Sequence, residues 1–159
     1  MSLATTSATS MTNCENPSQV FATLRFTGDA LDLDEISRVV GQQPTRAYRR
    51  GQTYKPGSRS PEVTGKTGGW YFSTKRKVPS KDLRDHLDAL VSLVLPSAYE
   101  DKRLRELRDI MERRNLQAHV TCFWRGPPGV DQPSIPAVVS GALDRLPADI
   151  EADFANEPP

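Results

Sequence analysis

Apolar and polar residues alternate with period two in three places along the chain. In residues 20–26, Val20, Ala22, Leu24 and Phe26 fall on one side and Phe21, Thr23 and Arg25 on the other. Residues 69–74 set Trp70, Phe72 and Thr74 on one side, and residues 116–124 do the same with Leu116, Ala118, Val120, Cys122 and Trp124. Successive strand side chains point to opposite faces, so each stretch predicts a strand with one face in a core. Residues 45–54 read as extended with a turn near Arg50-Gly51, and Ile150, Ala152 and Phe154 predict a last short strand.

Helical spacing fills the gaps. Asp32 is placed to cap a helix, with Glu35 three residues on as in a capping box and Leu31 and Ile36 as a hydrophobic staple. Ile36, Val39 and Val40 make its apolar stripe; Gly41 ends it and Pro44 prevents its return. Ser80 is placed to cap a second helix carrying Leu83, Leu87, Leu90, Val91 and Val94, which Pro96 stops. A third spans about residues 100–114, and a fourth, residues 134–146, carries Val138, Val139, Leu143 and Leu146. Residues 55–67 are rich in Pro, Gly, Ser and Lys and predict a long mobile loop.

The predicted order is β-α-β-β-α-α-β-α-β. It implies an α+β fold, a mainly antiparallel sheet with helices on one face, in a ferredoxin-like plan with additions. Residues 1–17 are small and polar and predict a disordered tail, residues 18–155 a single domain, and residues 156–159 a frayed end. Ile36, Val39, Leu83, Leu87, Leu90, Val120, Cys122 and Phe154 are expected in one core.

The motif residues also carry a resemblance. Leu31, Asp32, Leu33, Asp34, Glu35, Ile36, Ser37, Arg38, Val39, Val40 and Gly41, followed by Pro44-Thr45, Arg50-Gly51 and Gly69-Trp70, resemble the signature of a group of small bacterial proteins, domain-of-unknown-function family 4279. The resemblance spans roughly residues 21–154. It implies a bacterial α+β domain and no particular activity.

Composition narrows the class. The 159 residues are 36% hydrophobic and 26% charged, an ordinary soluble balance. Two cysteines, Cys14 in a polar tail and Cys122 in an apolar strand, do not predict a bridge and suit a reducing compartment. No apolar run has membrane length and no secretory signal is evident, so the expected location is the cytoplasm.

Charge changes the picture most. The net charge is only +1, yet residues 44–81 hold ten Lys or Arg and one acid, Glu62, while residues 126–159 hold six acids and one base, Arg145. The basic stretch interleaves Arg46, Arg49, Arg50 and Lys75-Arg76-Lys77 with Tyr48, Tyr54, Trp70 and Tyr71. Arginine forks suit carboxylate and phosphate, and rings can stack on bases. The expected ligand-binding residues are Arg46, Tyr48, Arg49, Arg50, Tyr54 and Trp70. Strand parity sharpens this to Arg46, Tyr48 and Arg50 on one face, with Arg49 opposite. The alternative is a solvated loop balanced by the acidic C-terminus.

Several chemistries find no support. Residues 65–69 lack the earlier glycine and following helix of a phosphate loop. Residues 66–72 do not match the aromatic motif of the RNA-recognition module. His86 and His119 have no zinc-type spacing, and Cys122 and His119 have opposite strand parity. Asp32, Asp34 and Glu35 are explained by helix capping. The sequence therefore predicts a non-catalytic binding module, with no metal, cofactor or catalytic residue, for an acidic protein or an anionic small ligand. A nucleic-acid-binding domain and an enzyme with an unrecognised site are the alternatives.

Overall fold

The computed structural model describes residues 16–97 and 101–159. Nearly all of the tail expected at residues 1–17 lies outside them. Seven strands and four helices are present among the described residues: β1 Gln19–Gly28, α1 Leu33–Val40, β2 Arg46–Tyr48, β3 Thr53–Tyr54, β4 Val63–Thr64, β5 Gly68–Ser73, α2 Leu83–Val94, α3 Lys102–Arg114, β6 Gln117–Gly126, α4 Ala137–Arg145 and β7 Asp149–Asn156. Five strands form one sheet in the order β2-β5-β1-β6-β7. All neighbours are antiparallel except β6 and β7, which run parallel on either side of α4. The fold is α+β.

The period-two pattern shows why the helices take one side. Val20, Ala22, Leu24 and Phe26 of β1 are buried, as are Ala118, Val120, Cys122 and Trp124 of β6, while the odd-numbered residues between them are not. The even face packs with the apolar stripes of all four helices into one cluster. Ile36, Val39, Leu83, Leu87, Leu90, Val120 and Cys122 are in it, and Phe154 packs against it. No described helix lies over the odd face of the sheet.

Helix α1 starts as its residues require: the Asp32 carboxylate accepts from the N–H groups of Asp34 (3.1 Å) and Glu35 (3.2 Å). Gly41 closes it at φ 75°, a left-handed conformation that costs glycine little. The return arm of the capping box does not form, because the Glu35 carboxylate turns to Arg113 and Arg114 of α3 instead, at 3.1 Å each. Two charge-assisted bonds outcompete one backbone N–H.

Residues 45–54 are extended on either side of the expected turn: β2 ends at Tyr48, and a turn through Gly51 (φ 81°) separates it from β3. Three expectations are corrected. Residues 55–67 are not one loop: β4 pairs with β3, and Gly65 exchanges backbone bonds with Gly51 (2.8 Å) and Gln52 (2.9 Å). The N-cap of α2 is Asp82, whose carboxylate accepts from Arg84 N–H; Ser80 sits outside, accepting from Asp82 N–H and donating to Asp85. Asn156 is not frayed: it ends β7, and its side-chain amide donates to the carbonyls of Pro127 (2.8 Å) and Val130 (2.7 Å). For the hairpin and for Asn156 a tertiary partner decided the outcome over local composition, whereas the choice of Asp82 over Ser80 is made by neighbours within five residues.

Candidate functional site

The register lines up one row across the open face of all five strands: Arg46, Tyr71, Arg25, His119 and Asp149. Toward the far ends of β1 and β6, Phe21 stacks on Phe123 with ring centroids 4.8 Å apart. Cations cap these rings. Lys75 Nζ stands 5.3 Å from the Phe21 centroid and the Arg125 guanidinium 4.1 Å from that of Phe123. Arg46 lies 5.4 Å from the Tyr71 centroid. The ring faces are thus already used by cation–π contacts.

The six expected site residues do not form one surface. Arg46 and Arg49 are exposed, and Arg50 is exposed but paired with Asp29 at 3.3 Å. Tyr48 is buried. Tyr54 lies flat on it with centroids 4.0 Å apart, and the Tyr48 hydroxyl meets that of Tyr71 at 3.0 Å. Burial, and then its hydroxyl contacts with Tyr71 and Tyr54, hold the Tyr48 phenol well above the usual tyrosine range. Tyr48 and Tyr54 therefore anchor the β3–β4 hairpin to the corner of the open face. Trp70 lies on the helix side, fully buried, and its indole N–H donates to Ser37 Oγ at 3.0 Å. Tyr71, its neighbour of opposite parity, is the ring beside Arg46.

The basic residues instead separate to the two ends of β2. Arg49 and Arg50 follow its C-terminal end, while Arg46 starts it, beside the turn that carries Lys75, Arg76 and Lys77. That turn and β2 enclose a depression of about 440 Å³ lined by Thr45, Ser73, Lys75, Arg76 and Lys77. Thr45 organises it: its hydroxyl donates to the Tyr71 carbonyl (3.2 Å) and accepts from Ser73 N–H (3.1 Å). The Ser73 hydroxyl accepts from Lys75 N–H at 3.3 Å. Among the described residues, Arg46, Lys75, Arg76 and Lys77 form no ion pair. Lys75, Arg76 and Lys77 line the depression with the two hydroxyls, Lys77 reaching over Phe72 at 5.6 Å on the helix side, and Arg46 stands next to it over Tyr71.

The opposite edge is acidic. Asp149, Glu151 and Asp153 alternate along β7 against Ile150 and Phe154, which pack on the core. Asp149 meets His119 Nδ1 at 3.6 Å and Asp153 meets Arg125 at 3.0 Å, while Glu151 forms no ion pair among the described residues. None of the three reaches the basic edge, so the two charged stretches do not neutralise each other within the chain.

Elsewhere the polar residues are structural. Cys122 is buried on the helix side, and burial pushes its thiol up to about 11, while His119 stands on the open face of the same strand. His86 is buried, with Nε2 at 2.8 Å from the Ser80 carbonyl and Nδ1 at 2.6 Å from the Thr74 hydroxyl. A carbonyl only accepts, so Nε2 carries the hydrogen and Nδ1 accepts from Thr74. No group of three or more His, Cys, Asp or Glu among the described residues is placed to hold a metal ion. No described helix is long and apolar enough to cross a membrane.

Sequence reasoning named the basic turn but missed Thr45, Ser73 and Tyr71 as its neighbours. Parity carried the signal for Tyr71, because it opposes Trp70 on β5. The pairing of β2 with β5 that brings Thr45 to Ser73 had no local signal. Comparison with curated proteins finds no match, and comparison with solved structures finds none. The family model described as Domain of unknown function (DUF4279) matches residues 18–155, nearly the whole length, and the chain belongs to that family.

Proposed function

We propose that the domain is a non-catalytic binding module whose basic corner takes an anionic small ligand or the acidic surface of a protein. The observation that carries this reading is the depression lined by Lys75, Arg76 and Lys77 with the hydroxyls of Thr45 and Ser73, beside Arg46, none of the four cations having an ion pair among the described residues. Cations in that state recruit an anion at little desolvation cost, and the Ser73 hydroxyl adds direction to the contact, that of Thr45 being committed to the Tyr71 carbonyl. The occupied ring faces of Phe21, Phe123 and Tyr71 count against single-stranded nucleic acid, which needs free rings for its bases. The strand order β2-β5-β1-β6 with β7 appended supports a ferredoxin-like plan with one addition. We place the protein in the bacterial cytoplasm, in keeping with the family resemblance and the buried free thiol.

The test is titration with inorganic phosphate, a poly-glutamate peptide and a single-stranded oligonucleotide at about 50 and about 200 mM salt. Saturable binding of phosphate or the peptide, lost in Lys75→Ala and Arg76→Ala but kept in Arg49→Ala, is the expected result. Binding of the oligonucleotide alone, with a steep salt slope, would transfer the corner to the nucleic-acid reading. No binding of any probe would leave it a solvated face.

A further inference from the structure

The open face of the sheet is basic on one side, acidic on the other and aromatic between. Neighbouring strands lie about 4.8 Å apart, so β2 and β7 are separated by about 19 Å across four spacings. That exceeds the screening length of about 8–10 Å at ordinary ionic strength, so each edge keeps its own sign toward solvent. Arg25, in the middle of the face, has a buried Nε with no hydrogen-bond partner. Apart from the β3–β4 hairpin at the Tyr48 corner, no described element packs on this face.

We propose that two copies of the chain pair here, sheet against sheet, about a two-fold axis running along the strands near β1. This rests on the reading of the basic corner as a receiver of acidic surface, and names that surface as β7 of a second copy. Symmetry and charge together select the axis. A two-fold axis in the interface and parallel to the strands reverses left and right, setting the β2–β5 side of each copy over the β6–β7 side of the other. An axis across the strands would set β2 on β2, like charge on like. Rotation about the chosen axis leaves position along the strands unchanged. The row of Arg46 and Asp149 therefore meets itself reversed, Arg46 facing the second copy's Asp149, twice.

Two rows along, Phe21 lies over its own counterpart, and Phe123 lies over the second copy's Lys75, one strand from Asp153. Arg25 lies by the axis and meets its own counterpart, the one unfavourable contact, flanked by Tyr71 and His119. β2 and β5 span three and six residues and β1, β6 and β7 ten, ten and eight, so the face offers on the order of 550–600 Å² per copy, below the roughly 800 Å² of a standard interface. The hairpin at Tyr48 lies level with residues before the start of β7, and across the axis it meets the second copy's Gln117 at the start of β6.

The experiment is sedimentation of the full chain at low and high salt, with Arg46→Glu, Asp149→Lys and an equal mixture of the two. Both residues are exposed, and unchanged circular dichroism checks that each variant is folded. A dimer at low salt that dissociates as salt rises is expected. Each single reversal sets like charges opposite at two symmetry-related contacts, and should weaken dimerisation at least about tenfold. Mixing the two should restore it. In the mixed dimer the acid introduced at position 46 of one variant faces the base introduced at position 149 of the other, and the symmetry-related contact keeps its native Arg46 and Asp149. Arg25→Gln removes the contact on the axis and should leave dimerisation equal or tighter. A chain monomeric at every concentration in low salt overturns the proposal. If that monomer still binds poly-glutamate through Lys75, only self-pairing falls; if it does not, the reading of the corner falls with it. A dimer indifferent to both reversals places the interface elsewhere and overturns it equally.

Discussion

Replacing Thr74 by valine removes one hydroxyl from a fully buried position and almost nothing else. Strand β5 ends at Ser73, and Thr74 continues its pairing with β1 by one residue in an unusual way. Its N–H donates to the Ala22 carbonyl at 3.0 Å, and its Oγ1 accepts from Ala22 N–H at 2.9 Å. The hydroxyl hydrogen goes to His86 Nδ1 on α2. One side chain therefore completes the central strand and ties the sheet to a helix. Valine fills the space but leaves Ala22 N–H without an acceptor, a loss of about 1–3 kcal/mol for a buried donor. The lost bond to His86 adds about 0.5–1.5 kcal/mol, for a total of about 2–4 kcal/mol.

Urea unfolding followed by circular dichroism measures it. With a slope of about 2 kcal/mol per molar, the midpoint should fall by about 1–2 M. Thr74→Ser keeps the hydroxyl and loses one methyl, about 0.8 kcal/mol, so its midpoint should fall by less than about 0.5 M. His86→Leu alone should cost less than Thr74→Val, because the freed hydroxyl can turn to the Ala22 carbonyl at 3.2 Å. The double variant should then cost less than the two singles together. A Thr74→Val loss no greater than that of Thr74→Ser would refute the account, since the methyl and not the hydroxyl would then carry the effect.

The hydrogen bond from Arg114, with that from Arg113 and both charges, holds the Glu35 carboxyl below its ordinary value against the opposing effect of burial. A lowered folded value means stability that is complete above the unfolded carboxylate range, about 4.3, and is lost as pH falls through the folded value. Urea midpoints between about pH 3 and 7 should therefore drop less on the acid side in Glu35→Gln than in the parent, and equal slopes would contradict this. With Cys14 changed to Ser, the Cys122 thiol, pushed up to about 11 by burial, should react with a disulfide reagent at pH 8 only as fast as the chain opens. Immediate native-state reaction would place Cys122 at the surface. In Gly69→Ala the new methyl would lie 2.7 Å from the rings of both Tyr48 and Tyr71. It should dislodge the hairpin at a cost of about 1–3 kcal/mol and speed tryptic cleavage at Lys55 and Arg59, whereas unchanged cleavage would deny Tyr48 its anchoring role.

The fold was legible where one residue and its near neighbours suffice. Capping by Asp32, termination at Gly41 and the alternation in β1, β5 and β6 are local matters, and each appears as the pattern demands. The β3–β4 hairpin was not legible, because what orders residues 55–67 is the stacking of Tyr54 on Tyr48 and the fit of Gly65 against the same ring. Composition reports the entropy cost of ordering such a segment and not the contact that offsets it. Trp70 was misplaced for a related reason. Its neighbour Tyr71 is equally aromatic, so only parity separates the ring in the core from the ring on the open face.

The charge map shows the same division between what a chain records and what its topology decides. Counting residues revealed a basic middle and an acidic end, and a contact between the two within one molecule was a fair expectation. The strand order excludes it. A chain that places β5 beside β1, and β6 beside β1 on its other flank, pushes β2 and β7 to opposite edges and leaves three strands between them. The nearby pairs that do form, Arg50 with Asp29 and Arg125 with Asp153, neutralise single charges within each edge and leave Arg46, Lys75 and Glu151 outstanding. Exposed pairs contribute little to stability, about 0–1 kcal/mol each, so folding alone gives small reason to keep such edges apart and opposite in sign. Association gives a larger one: a face with opposite signs at its two sides orients whatever lands on it and rejects the reversed approach.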